Sequence, residues 1–479
     1  MQEKAVKHWT LDEARQPKSG TGTPTGRNRE LRITQIIHAA QQTFQEDGYA
    51  RFTTRRVASR VGITLGNLQY YYRTKEELLR VTLQAYLNQT LDSYREIANR
   101  KDASAARRCS VLVERIIQDI NETDLPKFMF QIWAFSQHDS FAAALVDDTY
   151  AECRCIFAKL LAEIHPALTS EECLVRASIL VSQITGMMIF AYHGGDSDKD
   201  YAEFIRVTKR AVKLIVGLST KTPGNDTLFH CLADPSVGAD DSASARIEPI
   251  DPEDRFQQRL FELTIRATGQ NEVYYRPTVQ GKRREVKINE IVSSAANLLA
   301  TEGYGNFTQA RVARELGILP SALQNYFPTY DDLLHSTIDA LMKLYLDRYT
   351  ELGNPDGKSA LDRLRKLVKD VSEEGRDPRV CRFSFEMFAL AQHSERTREL
   401  VGKVYSTYRA IYAGLVREID SSATARECLA RATLIAAQLE GTSTLMFGKQ
   451  QLPANTDSVF KLMQTMAIRI AQGGITTET

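Results

Sequence analysis

A chain of 479 residues, 43% hydrophobic and 25% charged, has the composition of an ordinary globular protein, and its length alone allows about three domains. The formal net charge of +1 excludes neither nucleic acid nor acidic partners, because local clustering of cations matters more than their sum. No apolar run approaches the ~20 residues of a membrane span, and Met1-Gln2-Glu3-Lys4 begins no export segment, so a cytoplasmic protein without a membrane partner is expected.

Residues 1–28 are polar and interrupted by Gly20, Gly22, Pro24 and Gly26, which reads as a flexible arm. Gly20-Thr21-Gly22 has no strand before it and the wrong spacing for a phosphate loop. Helical periodicity then starts: Ile33, Ile36, Ile37, Ala40 and Phe44 form one apolar stripe that ends at Gly48. Amphipathic or buried helices are expected around 111–120, 125–135, 142–164, 174–190 and 204–218. No stretch alternates with the period of two that a strand needs, so the fold class is all-α. From about Lys221 to Gly281 the pattern weakens into a linker rich in Pro, Gly, Asp and Ser, with Phe256, Leu260 and Leu263 able to form one short helix. A flexible chain of ~60 residues spans about 45 Å, enough to let the flanking halves lie side by side. The seven cysteines are scattered, and Cys153 and Cys155, two apart on a helix, do not face each other; buried thiols fit better than metal ligands.

Beyond the linker the chain repeats itself at a constant offset of 255 residues. Phe52-Thr53 recurs as Phe307-Thr308, Val57-Ala58 as Val312-Ala313, Gly62-Ile63 as Gly317-Ile318 and Leu68-Gln69 as Leu323-Gln324. The same offset pairs Gln137-His138 with Gln392-His393 and Gly186 with Gly441. One constant offset over about 130 residues marks a duplicated and fused unit, which brings its own two-fold partner. Basic residues cluster before each copy, Lys18, Arg27, Arg29 and Arg32 in one and Lys282, Arg283, Arg284 and Lys287 in the other.

The segment from Phe52 to Leu79 is the most specific. A threonine, Thr53 or Thr54, caps a short helix over 55–61; Gly62 makes a tight turn; a second short helix covers 65–72; and Thr74 caps a third, with Glu76 and Glu77 in the first turn, where the helix dipole favours acids. Two short helices joined by a glycine turn make a helix-turn-helix whose second helix can enter a major groove. These residues resemble the DNA-binding signature of the TetR family of bacterial transcriptional regulators, specifically in the helix-turn-helix and more loosely beyond it. The resemblance implies two tandem units, each a three-helix DNA-binding domain followed by a larger helical ligand-sensing and dimerisation bundle. The corresponding boundaries are 29–76 and 77–220 for the first unit, a linker over 221–282, and 283–331 and 332–474 for the second.

Carried over, the base readers of the first copy are Thr64, Leu65, Asn67 and Gln69, supported by Arg55. Asn or Gln can pair bidentately with adenine, and Leu65 can touch a thymine methyl. Thr54, Tyr71 and Lys75 would contact phosphate. In the second copy Arg311, Ser321, Gln324, Asn325 and Tyr326 remain able to meet DNA, whereas Arg55, Thr64, Leu65 and Lys75 are replaced by Ala310, Leu319, Pro320 and Tyr330. The family's inducer pocket maps onto Phe130, Trp133 and Met187 in one half and Phe385 and Phe388 in the other, with core packing as the alternative for each. Small residues Ala432, Ala436, Ala437 and Gly441 would allow close contact between final helices. His138 and His393 fit capping or interhelical hydrogen bonds better than ligand binding.

The expected function is that of a sequence-specific regulator of transcription, a ligand-responsive repressor whose partners are double-stranded operator DNA and a small-molecule inducer. It would act as an intramolecular pseudo-dimer, or a homodimer, on an operator with two unlike half-sites. The alternative is a sensing or interaction module in which only the first head touches DNA. No metal-ligand cluster, phosphate loop or nucleophile elbow points to an enzyme, and no cofactor is expected.

Overall fold

The computed structural model describes residues 24–193, 198–217, 282–354, 357–445 and 456–473. The arm up to residue 23, the linker over 218–281 and the short helix expected at Phe256, Leu260 and Leu263 lie outside the described residues.

The first half runs α1 (Pro24–Arg51), α2 (Thr54–Val61), α3 (Leu65–Tyr71), α4 (Lys75–Ala98), α5 (Ala105–Glu122), α6 (Leu125–Ser136), α7 (Ser140–Ile164), α8 (Ser170–His193) and α9 (Asp198–Val216). The second half repeats this order as α10 (Lys282–Glu302), α11 (Gln309–Glu315), α12 (Pro320–Gln324), α13 (Tyr330–Gly353), α14 (Ala360–Glu374), α15 (Pro378–Ala391), α16 (Glu395–Ile419), α17 (Ala425–Glu440), a 3-10 turn over Gly441–Leu445, and α18 (Thr456–Ala471). The described residues contain no strand, and the all-α expectation stands. α1 begins at Pro24, inside the stretch expected to be an arm.

Local chemistry sets the short helices of each head. Thr53, Thr64 and Thr74 accept the backbone N–H groups of Arg56, Asn67 and Glu77 at 3.3, 3.2 and 3.0 Å, so three threonines cap three successive helices. Thr53, not Thr54, is therefore the cap of α2. Gly62 turns the chain in the left-handed region at φ 75°, which other residues adopt at a cost. Val57, Ala58 and Leu68 close the small core of the head, and Phe44 of α1 joins it to the bundle by packing against Phe52 and, 5.1 Å away, Phe128 of α6. Each such side chain contributes roughly 1.5–3 kcal/mol by leaving water.

The halves meet through α8 and α9 packed on α17 and α18 and through α6 packed on α15, and the contacts are reciprocal under the 255-residue offset. α8 packs on α17, where Gly186 lies against the backbone of Ala437 while its equivalent, Gly441, lies against the backbone of Ser182. A Cβ at either glycine would collide with a carbonyl oxygen of the other half. Between them Gln438 Nε2 donates to Gln183 Oε1 at 2.9 Å, two equivalent residues facing each other. α6 packs on α15 through Phe130 against Phe388 at 5.5 Å and, reciprocally, Trp133 against Phe385 at 5.6 Å. Residues Ser170–Ala191 of α8 are long and apolar enough to cross a membrane by length and composition, with mean hydropathy 1.6, which corrects the expectation that no stretch reaches that threshold. The physical reason is the contact itself: 94% of that window is buried, because α8 serves the core of one half and the contact with the other.

Candidate nucleic-acid interface

The first head presents its recognition helix, α3, with Leu68 and Tyr72 turned into the core and the opposite side in solvent. Asn67, Gln69 and Tyr70 are exposed, Tyr70 to 76%; Leu65 and Tyr71 are half-buried. Thr64 is exposed, but its hydroxyl already accepts the Asn67 N–H, so its acceptor capacity is shared with the cap. Tyr72 is the residue at which α3 stops, not a further turn of it. Arg55 at the start of α2 is exposed and makes no ion pair among the described residues. Its neighbours are committed instead: Arg56 pairs with Asp47 at 2.7 Å and Arg60 with Glu46 at 2.7 Å. Lys75 stands exposed at the N-terminus of α4, and Thr54 is half-buried on α2.

The second head keeps the frame and changes the surface. Thr308 caps α11 through the Arg311 N–H at 3.2 Å, and Thr329 with Asp332 forms a full capping box on α13. The recognition helix is cut to five residues, Pro320–Gln324, and Leu319 at its cap position has no side-chain oxygen to hold the first turn. Leu319 is instead 72% exposed. Ser321, Gln324 and Asn325 are exposed, Asn325 as the capping residue after the helix. Arg311 is tied to Glu302 of α10 by an ion pair, and Arg284 reaches over to the Asn325 carbonyl at 3.1 Å and lies 4.9 Å above the Tyr326 ring. Two of the head's cations thus hold its own structure.

Both heads are anchored to the bundles at a joint of which sequence reasoning reached only His138 and His393, expected in capping or interhelical hydrogen bonds. α1 is broken at Gly48 and α10 ends at Gly303, each with φ near 77°, and a Cβ at either would strike a histidine of the opposite half. Directly after the break, the Tyr49 N–H donates to Gln131 Oε1 at 3.0 Å, and the Tyr304 N–H to Glu386 Oε2 at 3.0 Å. Gln131 and Glu386 are equivalent, fully buried residues of α6 and α15. The amide of Gln131 also donates to the Ala389 carbonyl at 3.0 Å, with His393 Nε2 3.3 Å away. The carboxylate of Glu386, able only to accept, takes the Tyr49 hydroxyl at 3.0 Å and His138 Nε2 at 2.8 Å. Burial, then the Glu386 charge, pushes both the Tyr49 and Tyr304 hydroxyls above the usual tyrosine range, and burial followed by Arg51 pushes His393 below the usual histidine range. The two tyrosine rings meet edge to face at 5.1 Å. Each head is thereby fixed to a bundle helix whose other partners belong to the opposite half. The signal in the sequence was the matched pair Gln137-His138 and Gln392-His393; the buried partners about two helical turns upstream carried no surface mark.

The residues expected to line an inducer pocket are redistributed. Phe130, Trp133 and Phe385 face across the α6–α15 contact and, with fully buried Met187, line neither of two cavities found in the bundles; α6 and α15 spend that face on each other. Phe388 does line the second cavity. The first cavity, about 70 Å³, lies between α4, α5, α7 and α8 and is bounded by Leu87, Tyr94, Ile116, Tyr150, Phe157 and Met188 among others. The second, about 80 Å³, occupies the equivalent place in the other half. Among the described residues no group of His, Cys, Asp and Glu is placed to hold a metal.

Two capped helix-turn-helix heads, each on a larger all-helical bundle, define a DNA-binding transcriptional regulator. The family described as bacterial regulatory proteins, tetR family, matches the chain twice, at residues 36–82 and 291–337, so the chain carries two tandem TetR-type heads, 255 residues apart. It is similar to the HTH-type transcriptional regulator BetI of Burkholderia lata, 29% identical over 175 residues, covering 36% of this chain and 87% of that protein. BetI of Burkholderia thailandensis is 28% identical over 188 residues, covering 39% of this chain and 90% of its own length. Each relative is therefore matched over most of its length by a stretch no longer than one unit.

Proposed function

We propose that the chain is a ligand-responsive repressor of the cytoplasm whose two halves act as an intramolecular pseudo-dimer on an operator with two unlike half-sites. The observation that carries this reading is the set of reciprocal contacts at the 255-residue offset: Gly186 on Ala437 with Gly441 on Ser182, and Gln183 on Gln438. A contact in which residue i of one half meets j of the other, and j meets i, is the arrangement of a two-fold dimer interface. Two heads on such a frame address sites about one helical turn apart or a multiple of it. Arg55 and Lys75 offer cations to phosphate from the first head, with Asn67, Gln69 and Leu65 at the base edges and Thr54 and Tyr71 at the backbone. The second head would read through Ser321, Gln324 and Asn325, with Tyr326 against the backbone. The cavities would hold the inducer, and the Gln131 and Glu386 joints would convert its arrival into a change of head spacing.

Selection of bound fragments from random DNA by the purified chain tests the reading. It should return a site of two dissimilar halves bound by one chain. A perfect palindrome, or species only larger than 54.0 kDa in sedimentation without DNA, would count against it.

A second reading is favoured by two specific observations: Arg311 is committed to Glu302, and α12 has only five residues. On that reading the second head serves packing and only the first reads bases. Operator affinity unchanged by Gln324→Ala with Asn325→Ala would select it.

A further inference from the structure

The two cavities lie at equivalent places, and their walls differ in kind. Tyr94 and Tyr150 of the first recur as Tyr349 and Tyr405 of the second, but Thr90, Cys153 and Thr185 are replaced by Tyr345, Tyr408 and Glu440. The second cavity thus gains two tyrosines and a carboxylate where the first has hydroxyl, thiol and hydroxyl. Its rings surround the space: Tyr345 is stacked with Phe383 at 6.5 Å, Tyr349 lies 4.8 Å from Tyr408, and Tyr405 meets Tyr408 edge to face at 6.5 Å. Glu440 and Glu374 both stand in this wall, and among the described residues no Lys, Arg or His lines it.

A carboxylate in an aromatic chamber is expensive unless a positive charge comes to meet it. Glu440 Oε2 accepts one hydrogen bond, from the Tyr405 hydroxyl at 3.0 Å, and burial, with Glu374 nearby, pushes its carboxyl up to about 7. Aromatic faces attract a cation by their quadrupole, and several faces with one carboxylate form a cage for an ammonium group. We infer that the cavity of the second half is a binding site for a small organic cation, a quaternary or protonated amine, held by Glu440 and the rings of Tyr345, Tyr349, Tyr405 and Tyr408. The cavity of the first half, with an apolar wall and no carboxylate, is not. This rests on the ligand-responsive reading above only for its consequence, release of DNA; the site itself does not depend on it.

The test uses the full chain and two probes of similar size, tetramethylammonium and neutral tert-butanol, in titration calorimetry at matched ionic strength. One tetramethylammonium should bind per chain, and tert-butanol should give no saturable heat. Glu440→Gln keeps an acceptor for Tyr405, so it should fold normally by its melting curve and weaken the cation by ~10- to 100-fold, as loss of a charged hydrogen-bonding partner does. Equal binding of both probes, no binding of the cation, or equal affinity of the Gln variant would overturn the assignment. Operator retention is read separately. A cation that binds with Glu440 dependence yet leaves DNA in place supports the site and contradicts the ligand-responsive reading. Release by cyclohexanol with no cation binding upholds that reading and removes the cation.

Discussion

The two halves place the same caps, breaks and buried anchors 255 residues apart, yet their working surfaces diverge. In the first head Arg55 and Lys75 are exposed, while in the second the equivalents are Ala310 and Tyr330, and Arg311 is held by Glu302. In the bundles the divergence is reversed: the first cavity is apolar and the second carries Glu374 and Glu440. The copies have therefore parted in both directions, one richer in exposed cations on its head and the other in tyrosines and carboxylates around its cavity. The difference teaches that a fused pair is released from a constraint that binds a homodimer, whose identical chains must do both tasks on both sides.

The largest effect is expected where the symmetry is tightest. Gly186→Leu places a side chain into the Ala437 carbonyl, which is backbone of a packed helix and cannot swing aside. The halves must separate locally, at a cost of about 3 kcal/mol or more, read as a drop in the urea midpoint and a larger radius in X-ray scattering. An unchanged midpoint would mean the halves do not pack through α8 and α17.

Next is the joint, where the comparison is between Glu386 and its equivalent Gln131. Glu386→Ala strands three donors, the Tyr49 hydroxyl, the Tyr304 N–H and His138, two of them from the opposite half. The expected loss is about 3 kcal/mol, and Gln131→Ala should cost less, because a neutral amide leaves weaker partners behind. Equal losses from urea titrations would remove the asymmetry.

Glu440 gives a pH signature that the first cavity lacks. Its carboxyl is raised from the ordinary 4.5 to about 7, so the folded state binds the proton more tightly than the unfolded state. That contribution is fully present below about pH 4.5 and is lost as pH rises through about 7. Wild type should lose on the order of 1–3 kcal/mol across this window relative to Glu440→Gln, which cannot titrate. Parallel stability curves for the two proteins would contradict a half-buried, cation-poor carboxylate.

The smallest effects concern the heads. Arg55→Ala and Lys75→Ala should each flatten the salt dependence of operator binding by about one unit of slope, whereas Arg311→Ala should leave the slope unchanged. A slope that falls equally for Arg311 would show that its bond to Glu302 opens on DNA.

Much of this was legible in the residues. The period of the Ile33–Phe44 stripe, the glycine turn at Gly62 and the threonine caps are local signals, and local signals survive in one sequence. The constant offset made the second head legible even where its recognition helix had shortened. What could not be read was which face of a buried helix meets which neighbour. Phe130 and Trp133 bear the same apolar stamp whether they line a cavity or face another helix, and only the packing of α6 on α15 decides. Glu386 and Glu440 were invisible for the converse reason: a glutamate on a helix is most often solvated, and its burial depends on contacts distant in sequence.

The central claim is that one chain carries two unlike reading heads on one two-fold frame. Hydroxyl-radical footprinting at one chain per duplex tests it most directly. Two protected tracts of unlike sequence, on one face of the DNA and about one helical turn apart or a multiple of it, are the predicted result. A single tract, or two identical tracts that appear only at two chains per duplex, would contradict it.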